Sequence, residues 1–182
     1  MPLFDAGRKF YVLVQNKGDY GSGEILDENR NKIGLMHRVD ISIGGKIELK
    51  DLEGEAECVL YEKIVAPRQI FSVKDSSGNF LGRIKWNAGG GIQSQLWLEG
   101  PGGTQLFQAR GNLMRRDFTI FNPNGLEVAQ VNRLDKWNGT SVKGMFDYKR
   151  KFRLQITDDA VGRVDSRLLV GSVIVIGNFF HN

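Results

Sequence analysis

The chain has 182 residues, 41% hydrophobic and 25% charged, with a formal net charge of +4; these proportions suit one soluble globular domain and exclude a disordered or collagenous chain. A single cysteine, Cys58, and two histidines, His37 and His181, exclude an internal disulfide framework and argue against a Cys/His zinc site. Glycine, at 23 residues against 4 prolines, calls for many tight turns and a mainly β chain, and the opening Met1-Pro-Leu-Phe-Asp carries no secretory signal pattern, so a reducing, cytoplasmic setting is expected.

In chain order, Phe10–Val14 reads as the first strand. A pattern of apolar residues, an Asp, Asn or other turn residue, a Gly-containing turn and a return to apolar residues then recurs five times, opening at Ile25, Leu49, Val73, Leu98 and Ile120. The spacings of 24, 24, 25 and 22 residues are too short for a helix, a strand and two loops, so each copy is a hairpin. Asp or Asn opens the turn by bonding its side chain to the backbone, and Gly near the end accepts positive φ. The flanks alternate as strands do, at Ile41/Ile43, Phe71/Val73, Leu96/Leu98 and Phe118/Ile120, and again at Phe152/Leu154/Ile156 in a last strand, Phe152–Ile156. Five hairpins and two flanking strands make about twelve strands. Open sheets rarely exceed about ten, so a closed antiparallel barrel is expected, and at that width it needs something other than its own side chains inside.

The C-terminus supplies the filling. Leu168–Phe180 (LLVGSVIVIGNFF) is apolar all round except for Gly171, Ser172, Gly177 and Asn178, which marks a buried element. The expectation is a central helix over 165–180 that buries Leu168, Leu169, Val170, Val173, Ile174, Ile176, Phe179 and Phe180, with Asp165 or Ser166 as its cap. The run falls short of the roughly 17 to 25 residues needed to span a bilayer, so no transmembrane span is expected. An outer-membrane barrel would need the opposite polarity, apolar outside and polar within. The whole chain, 1–182, reads as one domain, with strands across 10–156.

The hairpin repeat, the Lys136-Trp137-Asn138-Gly139 segment, Phe146 through Gln155 and the final Gly171–Phe180 run together resemble the phospholipid scramblase and tubby C-terminal-like superfamily, to which the plant LURP-one-related proteins belong. The resemblance covers essentially the full chain and rests on the order of these features. It implies a twelve-stranded barrel around a central hydrophobic C-terminal helix, in agreement with the strand count reached without it, and a non-enzymatic binding module as function. In scramblases an acidic segment, Phe-x-Asp-x-Asp-x-Phe, is proposed to bind calcium. Aligned on Phe146 and Phe152, its two Asp positions fall here on Tyr148 and Arg150, so calcium dependence of that kind is not expected. Asp147, Asp158 and Asp159 read instead as turn and helix-start residues. The Pro-rich, Cys-containing N-terminal extension of scramblases has no counterpart in this sequence.

Lys143, Lys149, Arg150, Lys151 and Arg153 against Asp147 alone sum to +4 over eleven residues, the whole formal net charge. With Arg115 and Arg116 on an adjacent turn and Arg167 just beyond, this segment is the candidate site for anionic phospholipid or phosphoinositide headgroups, each basic residue worth on the order of 1 kcal/mol beside a charged membrane. The blander reading is a solvated loop. Nucleic acid is not expected, because most of the 18 aromatic residues alternate along strands and Trp86, Trp97 and Trp137 are not spaced as a stacking platform. Asn87-Ala-Gly-Gly-Gly-Ile92 lacks the Gly-Lys-Ser/Thr ending of a phosphate loop and reads as a strand connector. His37 reads as a satisfied strand histidine, and Cys58 as a small buried hydrophobe. No catalytic constellation, metal site or cofactor motif is present, so a non-enzymatic module is expected, cytoplasmic and peripheral at the membrane. The alternatives are a soluble carrier or scaffold whose barrel mouth takes a small molecule or an unknown protein and, third, phospholipid scrambling without the usual calcium motif.

Overall fold

The computed structural model describes residues 2–16, 21–40, 44–65, 68–87, 95–112, 117–134 and 149–179. Side chains that alternate between two environments make a wall with an inside and an outside, and twelve such strands lie among the described residues. They are β1 (Phe10–Gln15), β2 (Gly23–Leu26), β3 (Lys32–Asp40), β4 (Gly45–Lys50), β5 (Ala56–Val65), β6 (Arg68–Asp75), β7 (Phe80–Asn87), β8 (Gln95–Glu99), β9 (Gln105–Asn112), β10 (Asp117–Phe121), β11 (Glu127–Arg133) and β12 (Arg150–Ile156). Each pairs antiparallel with the next, and β1 also pairs with β12, Phe10 opposite Gln155 and Leu13 opposite Phe152, which closes the barrel. The expected fold is the observed one.

Five of the hairpins, the copies of the sequence repeat, share one construction and lie at one end of the barrel. In each, the N–H of the fourth turn residue donates to the carbonyl of the first: Arg30 to Asp27, Gly54 to Asp51, Gly78 to Asp75, Gly103 to Gly100 and Gly125 to Asn122. The same five residues have positive φ, and each hairpin shifts register just before its turn, as a bulge with a left-handed residue requires. Where the first residue is Asp or Asn, its side chain accepts the N–H four residues on, for example Asn79 to Asp75 at 2.8 Å. The first copy departs from the pattern, because Arg30 (φ 67°) stands where the other four have Gly.

The helix α1 (Ser166–Phe179) runs up the middle. Asp165 caps it: its carboxylate accepts the Arg167 N–H at 3.0 Å, and its carbonyl accepts those of Leu168 and Leu169. Leu169, Val170, Val173, Ile174, Val175 and Ile176 are fully buried, Leu168 nearly so. Ser172 hides its hydroxyl by donating to Leu169 O at 2.6 Å. Phe180 and the side chain of Phe179 lie outside what is described. Around α1 stand the inward residues of the wall, among them Tyr11, Leu13, Phe71, Val73, Leu96, Leu98, Phe118, Ile120, Phe152 and Leu154. Each large apolar side chain so buried contributes roughly 1.5–3 kcal/mol, enough for β-branched residues to be helical against their modest propensity. The two glycines among the interruptions noted in the sequence have packed surroundings. A Cβ on Gly171 would stand 3.0 Å from Ile84 Cδ1, and one on Gly177 would stand 2.2 Å from Gln15 Oε1; the side chains of Ile84 and Gln15 occupy the space that a larger residue would take.

The segment before β1, left unassigned by the sequence pattern, is also structural. Leu3 is fully buried against Gly34, and the Glu57 carboxylate accepts the Leu3 N–H at 2.5 Å and the Phe4 N–H at 3.3 Å. Residues 2–9 thus lie across the turn end of the barrel, beside the start of α1.

A left-handed conformation costs a residue with a Cβ about 1–2 kcal/mol, while Gly gives back about 0.5–1 kcal/mol through the freedom of its unfolded chain. Arg30→Gly therefore raises stability by about 0.5–1 kcal/mol in urea denaturation, and Gly78→Arg, at the equivalent turn, lowers it by a similar amount. Unchanged midpoints in both variants would contradict this account of the turns.

Candidate functional site: a basic outer wall

Alternation along β12 sorts the basic segment. Phe152, Leu154 and Ile156 point inward, so Arg150 shares their face while Lys149, Lys151 and Arg153 take the other. Those three are exposed, and Arg150 is half-buried. Its guanidinium Nη1 donates to Gly177 O near the end of α1, at 3.0 Å. The last turn of α1 contains no basic residue, so Arg150 supplies from the wall the positive charge that the C-terminal end of a helix dipole favours. Gln15, opposite Arg150 in register, donates Nε2 to Ile174 O at 3.4 Å. Arg150 is thus engaged by the helix. Of the other basic residues singled out in the sequence, Lys143, Arg115 and Arg116 lie outside the described residues. Arg167 sits in the first turn of α1, about 15 Å from Gly177 at 1.5 Å per residue. There it forks onto Asp165 at 2.9 and 2.8 Å, and the structure does not bring it to the others.

The outward column has distinctive neighbours. Lys151 stands opposite Val14 of β1, Arg153 opposite Val12 of β1 and Asn132 of β11, so none of these cross-strand partners is charged. Leu134 donates its N–H to Lys151 O and is 45% exposed, one of three large apolar side chains that face solvent among the described residues. On other strands Lys74, Arg83 and Arg110 lie over the rings of Tyr61, Phe80 and Phe121, and several lysines sit against carboxylates. Lys46 and Lys50 grip Glu48 at 2.5 and 2.9 Å, Lys85 pairs with Glu99 at 2.6 Å, and Lys32 with Glu24 at 3.3 Å. The two lysines hold the Glu48 carboxyl down at about 2. Lys149 and Arg153 have no carboxylate within ion-pairing distance among the described residues. An open groove beside Lys149, lined also by Asn16, Ser22, Glu24, His37 and Lys50, continues the wall toward β3.

The barrel interior is apolar from the turn end up to its last layer, where Gln15, Arg38, Glu62, Arg133 and Arg150 face in; Arg38 and Glu62 pair at 3.2 Å. Cys58 is buried, and burial pushes its thiol up to about 12. His37 stands outward with Nδ1 3.8 Å from Glu48, and Trp86 belongs to the core. Asp158 pairs with Lys9 at 2.5 Å. Among the described residues no group of three or more His, Cys, Asp or Glu is placed to hold a metal ion, and no helix is long and apolar enough to cross a membrane.

The model of one family, described as LURP-one-related, matches residues 11–177, from the first inward side chain of β1 to the helix carbonyl that Arg150 holds. The chain belongs to the LURP-one-related family. That family is part of the tubby-like superfamily. A crystal structure of a protein from Arabidopsis thaliana superposes with a TM-score of 0.63 over 99% of both chains at 16% identity, a likeness of fold. No curated protein matches the chain. For a LURP-one-related chain with a tubby-like barrel, a binding module is the function supported at family level.

Two residues of β12 separate helix holding from surface charge. Arg150→Met keeps the aliphatic stem but removes a charge-assisted bond, and is expected to cost about 1.5–3 kcal/mol in denaturant unfolding. Arg153→Met, on the exposed face of the same strand, is expected to stay within about 0.5 kcal/mol of the parent. Equal stabilities would contradict the role given to Arg150.

Proposed function

We propose that the protein binds anionic phospholipid headgroups reversibly through the outer face of β12. The observation that carries this reading is the column Lys149, Lys151 and Arg153, exposed on one wall with uncharged residues across the strands and the exposed Leu134 beside it. Phosphate oxygens accept charge-assisted bonds from such donors. Lys143, Arg115 and Arg116 join the proposed surface on sequence grounds. Arg150 is left to the helix.

The magnitudes favour a reversible contact. Three cations at about 1 kcal/mol each near an anionic bilayer give roughly 3 kcal/mol, and insertion of one leucine adds at most a comparable amount. Such binding is weak alone, grows with the density of anionic lipid and falls with salt.

Sedimentation with phosphatidylcholine vesicles containing graded phosphatidylserine tests this directly. Binding is expected to rise with the anionic fraction, to fall between low and physiological salt, and to be indifferent to calcium. The triple variant Lys149→Gln, Lys151→Gln, Arg153→Gln is expected to lose roughly a hundred-fold in partitioning, the equivalent of about 3 kcal/mol, with its unfolding midpoint unchanged. Failure of the parent protein to sediment at any anionic fraction would overturn the reading.

A further inference from the structure

The two ends of the barrel differ in charge. Residues 2–9, the five turns at 27–31, 51–55, 75–79, 100–104 and 122–126, and the connection 157–165 that leads into α1 all lie at one end. With Glu57, which holds Leu3 and Phe4, and Arg167, which pairs with Asp165, they contain eleven Asp and Glu against five Lys and Arg, a formal −6. The whole chain is +4, so the remaining residues sum to +10. The sequence hides this, because the three acidic turns, at 27–31, 51–55 and 75–79, recur every 24 residues and are averaged away with the strands between them. The fold gathers them.

We infer that the barrel docks on an anionic bilayer in one orientation, with the β11–β12–β1 wall near the helix C-terminus against the lipid and the turn end held away from it. The inference rests on the lipid-binding reading above and adds to it the direction of approach. Lys149 at the start of β12 and the turn end at its finish are separated by about 20 Å along the strand at ~3.3 Å per residue. That exceeds the Debye length of about 8 Å at physiological ionic strength. With the basic wall in contact, the acidic end lies beyond the reach of the surface potential; inverted, it would sit inside it and be repelled.

Exposed apolar surface by itself would choose otherwise. Leu52 and Leu126, at 54% and 64% exposed, both belong to turns at the acidic end, while Leu134 at 45% belongs to the basic wall. Leu52 is flanked by Asp51 and Glu53, with Glu55 close behind in the same turn. A single leucine cannot offset the approach of six net negative charges to an anionic surface, so charge decides, and Leu134 is the side chain that enters the interface.

The three leucines give the test. The one native thiol is Cys58, buried and pushed up to about 12, so a cysteine introduced at the surface is the one a maleimide labels. Leu134→Cys, Leu52→Cys and Leu126→Cys, each labelled with an environment-sensitive nitrobenzoxadiazole dye, are mixed with phosphatidylcholine/phosphatidylserine vesicles, and the same samples are sedimented. The expected result is co-sedimentation of all three, with a several-fold rise in emission from position 134 and no change from positions 52 and 126. Co-sedimentation with a rise at 52 or 126, or equal rises at all three, would overturn the orientation and leave lipid binding standing. No co-sedimentation would overturn the lipid reading, and the orientation with it.

Discussion

A sheet of twelve strands that closes on itself encloses more space than its own inward side chains can fill, and water cannot occupy that space without giving up the burial that holds the wall together. The apolar helix is therefore part of the barrel's core. Its residues are buried on every side because the wall surrounds them, and the wall keeps its diameter because they are there. Gly171 and Gly177 of α1 stand where the side chains of Ile84 and Gln15 fill the space beside the helix. Its two ends are satisfied by the scaffold: Asp165 caps the first turn, and Arg150 and Gln15 reach carbonyls near the last. With the interior committed in this way, the outer wall and the rims are what the molecule has left for recognition.

That division runs through single strands. Alternate residues of β12 serve the core and the surface, so Phe152, Leu154 and Arg150 hold the helix while Lys149, Lys151 and Arg153 meet solvent. It also runs along the barrel axis. Tight turns favour Asp and Asn for their bonds to backbone amides, and three of the five turns, at 27–31, 51–55 and 75–79, bring Asp and Glu to one end, where residues 2–9 and 157–165 add more. The functional polarity of the surface thus descends in part from turn chemistry.

Much of the fold was legible in the sequence. The repeated turns announced themselves through Asp or Asn and a following Gly, the alternation of Phe152, Leu154 and Ile156 identified the closing strand, and the uniform apolarity of Leu168–Ile176 identified the filling. The candidate site was legible as a charge excess but not as a surface, because a sum over a segment does not distinguish inward from outward. The parity that turns Phe152 inward also turns Arg150 inward, a signal present in the sequence and left unused. Leu134 carried no local signal: an apolar residue one place beyond a strand reads as core until its neighbours are known. The pairing of Glu57 with the amides of Leu3 and Phe4, and the grouping of acidic turns separated by about 24 residues, depend on contacts between distant segments that no local pattern encodes. Arg30 broke the repeat visibly, yet its strain emerges only with its φ.

The central claim is that α1 is a permanent part of the core and that lipid is met from outside. Amide hydrogen exchange of residues 168–177, followed with and without phosphatidylserine-containing vesicles, tests it most directly. The account predicts that these amides exchange only through global unfolding, at the same slow rate as those of β6 and β7, and that vesicles leave them protected. Faster exchange of the helix than of the strands, or deprotection on vesicles, would mean that the helix leaves the barrel, and would contradict it.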